Sequence, residues 1–190
     1  MGSTVPSRYF TKLYDEQLDP WNFASSEYEG EKYRRTLEAL PRSRYRRACE
    51  LACSIGVFTR LLATKCDRLF AVDVSDVAVK QARERCKHES HVKLQQMDLL
   101  RAYPKGSFDL TTVCEFGYYF AADDLLRLCE NVVAHSVPGA HVVLVHWTPP
   151  VRGHALTAKD VHDAFGAHPQ LRSVQGFDAE TYRLDVFERA

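Results

Sequence analysis

A chain of 190 residues is long enough for one domain with a sizeable core and leaves little for a second. Lys and Arg together number 25, as do Asp and Glu, so net charge is near zero and offers no electrostatic footprint for nucleic acid. The six cysteines, at 49, 53, 66, 86, 114 and 129, include no CxxC pair, which removes zinc-ribbon and thioredoxin-like readings; with no signal peptide and no apolar run long enough to span a membrane, the reduced cytoplasm is the expected compartment.

Residues 1–27 open on a small, polar lead and turn aromatic at Tyr9, Phe10, Tyr14, Trp21 and Phe23. The pattern is too short and broken for a stable helix of its own and reads as an arm, either covering one edge of the core or forming a lid over a ligand. In 28–40, Tyr33, Thr36, Leu37 and Leu40 recur at i, i+3, i+4 and i+7, which predicts a helix that Pro41 ends. Strands and helices then alternate. Strand Ala48–Ala52 precedes a helix at about 55–64, and strand Leu69–Val74 precedes one opening at Ser75, a good N-cap. Strand His91–Gln96 and strand Phe108–Cys114 follow. The helix at about 122–135 has the cleanest periodicity, in Leu125, Leu128, Cys129, Val132 and Val133; Pro138-Gly139 breaks it and starts strand His141–His146. Thr157-x-x-Asp160 is a capping-box start to a last helix. Leu171–Gly176 and Thr181–Glu188 close the chain as two antiparallel strands. Parallel strands with crossover helices, then a terminal hairpin, predict a doubly wound, mostly parallel seven-stranded α/β sheet with a C-terminal antiparallel hairpin. The domain reading is an N-terminal arm and helix at 1–40 and a catalytic domain at 41–190, one domain overall.

Two stretches carry chemistry. Cys53-Ser54-Ile55-Gly56 is a small-residue turn between a strand and a helix, where an α/β sheet holds a nucleotide-like ligand and where backbone and ligand approach closely. Asp73 ends the next apolar strand, where a carboxylate accepts hydrogen bonds from ribose hydroxyls or simply caps the following helix. No GxGxxG fingerprint is present, which weighs against a nicotinamide dinucleotide.

Glu50-Leu-Ala-Cys-Ser-Ile-Gly56, Ala71-Val-Asp73, Met97-Asp98-Leu99 and Cys114-Glu-Phe-Gly-Tyr-Tyr119 resemble the successive motifs of class I S-adenosylmethionine-dependent methyltransferases, with a Rossmann-like sheet. Asp19-Pro-Trp21, the Tyr28-Glu29 to Lys32-Tyr33 helix start, Glu115 with Tyr118-Tyr119, and Val145-His-Trp147 followed by Val161-His-Asp163 narrow the resemblance to the nodulation-factor N-methyltransferase (NodS-like) group. That family usually has glycine where Ala52 stands; the methyl is harmless at negative φ and strains the turn at positive φ. Glu27 and Gly30 stand where an aromatic and a basic residue are expected.

The resemblance implies S-adenosyl-L-methionine as cofactor, leaving S-adenosyl-L-homocysteine, and a small-molecule acceptor. No metal, nucleic acid or membrane partner is implied, and the oligomeric state stays open. The expected cofactor residues are Trp21, Lys32, Glu50, Ala52, Cys53, Gly56, Asp73, Val74, Met97, Asp98, Leu99 and Glu115. By resemblance, Asp98 meets the adenine amino group, and Glu50 reaches the amino-acid part. Lys32 and Arg34 are candidates for its carboxylate, and Trp21 and Tyr9 for cover over the sulfonium. Tyr118, Tyr119, His146 and Trp147 are expected to bind the acceptor. Glu115 and His146 are the catalytic candidates, Glu115 holding an ammonium or hydroxyl and His146 taking a proton, with His162 weaker; a structural hydrogen-bonding role is the bland reading of both histidines. The leading activity is methyl transfer to the amine of an amino sugar or related metabolite. The alternatives are a small-molecule O-methyltransferase and a non-catalytic protein that keeps the fold. The loop from Trp147 to His154, stiffened by two prolines, is expected to rim the acceptor pocket.

Overall fold

The computed structural model describes residues 2–151 and 153–190; Arg152, in the expected pocket-rimming loop, lies outside the described residues. Among them the chain forms seven strands and six α-helices, grouped in two units, residues 6–104 and residues 105–190 with 2–5.

The 6–104 unit begins with α1 (Ser7–Glu16) and α2 (Glu27–Glu38). The expected arm is therefore helical in part. Its ten residues are marginal alone, and one buried side chain, Tyr14, ties them down. Ser26 caps α2, its Oγ accepting from the Glu29 N–H. Three parallel strands follow in the order β3-β2-β1: β1 (Ala48–Leu51), β2 (Leu69–Asp73) and β3 (Val92–Gln96). The β1 residues are all buried, as in a parallel strand covered on both faces, while β3 is half exposed. Helix α3 (Val57–Ala63) follows β1 and α4 (Asp76–Arg85) follows β2, the latter capped by Ser75, whose Oγ accepts from the Ala78 N–H.

The 105–190 unit holds β4 (Phe108–Cys114), α5 (Ala122–Ala134), β5 (Ser136–Trp147), α6 (Ala158–Gly166), β6 (Leu171–Asp178) and β7 (Tyr182–Arg189), with strand order β4-β5-β7-β6. β4 and β5 are parallel; β7 pairs antiparallel with both β5 and β6. The capping box at Thr157 and Asp160 is present. One expectation is corrected: Pro138-Gly139 does not precede β5 but lies inside it. Pairing jumps from Phe108–Ser136 to Leu110–His141, so the intervening residues bulge out, with Gly139 at φ 75°.

Candidate active site

In the 6–104 unit the turn after β1 runs through left-handed backbone: Ala52 has φ 58°, Ser54 51° and Gly56 79°. Glycine is required at the third position, because a Cβ there would meet Ala82 of α4 at 2.8 Å. At Ala52 the straining alternative of the sequence reading applies, and Ser54 shares it. Asp73, 6% exposed at the end of β2, braces the turn: the Ser54 N–H donates to Oδ2 at 2.8 Å and the Ser75 N–H to Oδ1 at 2.9 Å. Burial pushes its carboxyl upward, opposed by the N–H groups of Ser75, Ser54 and Val74. Each oxygen keeps acceptor capacity beyond these single bonds.

Glu50 is 3% exposed within β1, and burial pushes it up to about 8; the Thr59 hydroxyl favours the anion and the Asp73 charge opposes it. Its buried Oε2 has no hydrogen-bond partner among the described residues. Such an oxygen suits a ligand ammonium. Cys53 is buried with its thiol held far above the usual range, by burial first and then by the charges of Asp73 and Glu50, so it acts as a small hydrophobe.

Helix α1 docks beside this turn. The Tyr14 hydroxyl and Ser54 Oγ lie 2.5 Å apart, and Tyr14, Ile55 and Ala78 form a cluster against which Trp21, Phe23, Val57 and Val77 pack. Trp21 stacks on Phe23 and meets Tyr14 edge-on. A cavity of ≈ 590 Å³ is walled by α1 and by Val74, Met97 and Asp98. Three expected cofactor residues are thus brought together; Leu99 does not line the cavity. Asp98 is engaged locally, Oδ1 accepting from the Leu100 N–H at 3.0 Å and Oδ2 lying 3.6 Å from Arg101 Nε.

Lys32 and Arg34 stand differently from expectation. Lys32 is 3% exposed and donates to Glu29 Oε1 at 2.9 Å, with Tyr28 5.3 Å away, so its charge is already balanced within α2. Arg34 sits on the exposed face of α2 between Glu31 and Glu38. Tyr9 is 49% exposed and packs edge-on against Phe10.

In the 105–190 unit, Glu115 follows β4 at φ 58°, a strained position for a residue with a side chain. Its Oε2 accepts from the Tyr118 hydroxyl at 2.6 Å and from the Trp147 N–H at 2.9 Å. Residues Gly117–Tyr119 form a single 3-10 turn. Tyr118 is buried and stacks on the half-buried His154 at 4.1 Å, with Tyr119 edge-on to the same imidazole. Desolvation lowers the His154 pKa, partly offset by the Glu115 charge, so this ring favours its neutral form. Glu115, Tyr118, Tyr119 and the Trp147 backbone are therefore brought together.

His146 requires a correction. It is 0% exposed; the Gly117 N–H donates to its Nε2 at 3.3 Å, and its Nδ1 lies 3.2 Å from His162 Nε2. With both ring nitrogens engaged inside the unit, it is not placed to accept an acceptor's proton. The accessible imidazole beside Glu115 is His154, which the sequence reading passed over as a loop residue. Tyr14 and Ser54 were also passed over as site residues, and no local pattern distinguishes them. Asp185 could have been found: an acid inside Leu184-Asp-Val-Phe187 needs a partner for the same reason as Glu50.

Seven strands, parallel except at the C-terminal pairings, with a small-residue turn after the first strand, an acid ending the second and another just after the third, define the fold of the class I S-adenosylmethionine-dependent methyltransferases. The crystal structure of the N-methyltransferase NodS from Bradyrhizobium japonicum WM9 in complex with S-adenosyl-L-homocysteine matches with a TM-score of 0.84 at 26% identity, over 94% of this chain and 97% of that one. The chain belongs to the Nodulation protein S (NodS) family, whose model matches residues 11–163. Nodulation protein S of Bradyrhizobium diazoefficiens is 35% identical over 122 residues, 63% of this chain and 58% of its own length. That of Rhizobium tropici is 29% identical over 127 residues, 66% and 53% respectively. The chain thus spans little more than half the length of these two relatives.

Proposed function

We propose that the chain is an S-adenosyl-L-methionine-dependent N-methyltransferase whose acceptor is the amine of a small molecule, an amino sugar or a related metabolite. The observation that carries this reading is the near full-length likeness of a NodS-family chain to a NodS N-methyltransferase crystallised with S-adenosyl-L-homocysteine. The cofactor, when bound, supplies an activated sulfonium methyl. On the protein side, Asp73 is assigned to ribose hydroxyls through its remaining lone pairs. Val74, Met97 and Asp98 are assigned to the adenosine, through the cavity beside α1. The orphaned Glu50 Oε2 is assigned to the ammonium of the amino-acid part. Trp21, packed with Tyr14 on α1, gives that helix the lid role.

Glu115 favours nitrogen over oxygen: a carboxylate beside an acceptor attracts an ammonium and orients the amine that remains once a proton leaves. His154, kept neutral by desolvation, is an available proton acceptor. Orientation of this kind supplies about 7–11 kcal/mol of a barrier in well-aligned systems. The free cysteines suit a reducing cytoplasm, and no helix among the described residues is long and apolar enough to cross a membrane.

The test is a screen of amine and hydroxyl acceptors with S-adenosyl-L-methionine, read as a mass gain of one methyl, beside calorimetry with S-adenosyl-L-homocysteine. Methylated amines support the proposal. Methylated hydroxyls alone would redirect it to O-methyl transfer, and no binding at millimolar ligand would leave a non-catalytic protein. In the active enzyme, Glu115→Gln is expected to lower kcat/KM for the amine about 100-fold while S-adenosyl-L-homocysteine affinity stays within about twofold; parallel losses in both would remove Glu115 from the acceptor side.

A further inference from the structure

We infer that a buried hydrogen-bond chain through His146, His162 and Asp185 is a positioning device for the Glu115–Tyr119 segment, and that Gly117 and Gly176 are the glycines its two ends require. The inference rests on the acceptor role given to that segment under the proposed function.

The chain is continuous. The Gly117 N–H donates to His146 Nε2 at 3.3 Å, His146 Nδ1 faces His162 Nε2 at 3.2 Å, and His162 Nδ1 faces Asp185 Oδ2 at 2.7 Å. Arg183 Nη2 lies 2.8 Å from the same carboxylate oxygen and balances its charge. The three side-chain members come from β5, α6 and β7 and are 0%, 1% and 8% exposed. A backbone amide only donates, so His146 Nε2 is bare and Nδ1 carries its proton. That proton points at His162 Nε2, which must also be bare, so His162 donates from Nδ1 to Asp185. One proton assignment satisfies these three bonds, with each ring carrying a proton on Nδ1.

Each end abuts a glycine. A Cβ on Gly117 would lie 2.7 Å from Val161 Cγ1 and 3.1 Å from His146 Nε2, and one on Gly176 would lie 2.1 Å from Asp185 Oδ1. A larger residue at position 176 must displace the Asp185 carboxylate, and one at position 117 must displace Val161 and press on His146. The segment held at the Gly117 end needs holding: Glu115 is at a φ of 58°, which local preference does not favour, and its carboxylate receives the Tyr118 hydroxyl. The buried imidazoles act on the acceptor side through Gly117, without touching the acceptor themselves.

The test begins on the full chain with nitrogen-15 NMR of the imidazoles. Both rings are expected as Nδ1–H tautomers at neutral pH. An Nε2–H tautomer or a doubly protonated ring at either position overturns the chain. His162→Phe fills the place of the ring, with somewhat more volume, and breaks the chain; it is expected to speed amide exchange at Gly117 about tenfold or more and to raise KM for the amine about tenfold, with S-adenosyl-L-homocysteine affinity unchanged. Unchanged exchange at Gly117, or equal losses in KM and cofactor affinity, overturns the positioning role. Gly176→Ala acts at the far end and is expected to give the same exchange signature, so it serves where His162→Phe fails to fold. If the wild-type chain methylates no acceptor, the functional proposal falls, while tautomers and amide exchange still decide the chain.

Discussion

Ala52 and Ser54 occupy left-handed backbone at φ 58° and 51° where glycine has no steric penalty. A side chain there costs about 1 kcal/mol or more, and the Ser54 N–H bond to Asp73, itself anchored by the Ser75 N–H, helps hold the turn in place. Strain that is present with or without ligand is relieved in the folded state, so Ala52→Gly is expected to stabilise the protein by about 0.5–1 kcal/mol after the added freedom of the unfolded chain is subtracted. The lost methyl also opens the turn, and S-adenosyl-L-homocysteine should bind several-fold tighter. Thermal unfolding and calorimetry of the variant check both; a lower Tm with weaker binding would mean that Ala52 is adapted to its site. Glu115 shares the same backbone region, but its carboxylate holds Tyr118 and Trp147, so Glu115→Gly would relieve strain and lose both contacts.

Among the elements, α1 shows where sequence patterning stops. The alternation of strand and helix, the Ser75 cap and the Thr157–Asp160 box were legible because each depends on residues within one turn of each other. Helix α1 was not, because only Tyr14 on it is buried and its partner, Ser54, is 40 residues away. Helix α2 was legible in part: Thr36 and Leu40 of the spaced set are buried, but the polar Glu29 and Lys32 lie more deeply than Tyr33 and Leu37, which apolar spacing does not foresee. The same limit applied to the site. Asp73 and Glu115 stand out in the sequence by their places at strand ends, whereas the engagement of His146 by Gly117 and His162 depends on tertiary packing that no spacing records. Tyr14→Phe is expected to cost about 1 kcal/mol through the lost hydroxyl contact and to speed hydrogen exchange across Ser7–Glu16, leaving β1, β2 and β3 protected. Uniform loss of protection across the 6–104 unit would mean that α1 is part of its core rather than a separable cover.

For the whole molecule, the pH dependence of stability turns on buried acids. Glu50 is raised from 4.5 to about 8 in the folded state, by burial first. A raised folded value means that the folded protein holds a proton the unfolded chain has lost. The stabilisation is complete below the unfolded value and disappears as pH rises through about 8. Asp73 is shifted in the same direction. Exposed Glu31, Asp76, Glu84 and Asp160 are shifted downward by Arg34, Lys80, Lys87 and Thr157, and their effect falls below this window. The half-buried His154 is lowered, which adds a small rise with pH below 6.5. Between 4.5 and about 8, the unfolded and folded values for Glu50, stability should therefore fall at up to about 1.4 kcal/mol per pH unit and level off above that range, and Glu50→Gln should flatten that slope in a series of unfolding titrations. The same proton links stability to ligand: an ammonium placed against Glu50 Oε2 favours the carboxylate, so binding S-adenosyl-L-homocysteine at pH 7 should release about one proton. Calorimetry in buffers of different ionisation enthalpy measures that release directly. Binding without proton release in the wild type, or an equal release in Glu50→Gln, would move the ammonium contact to another group.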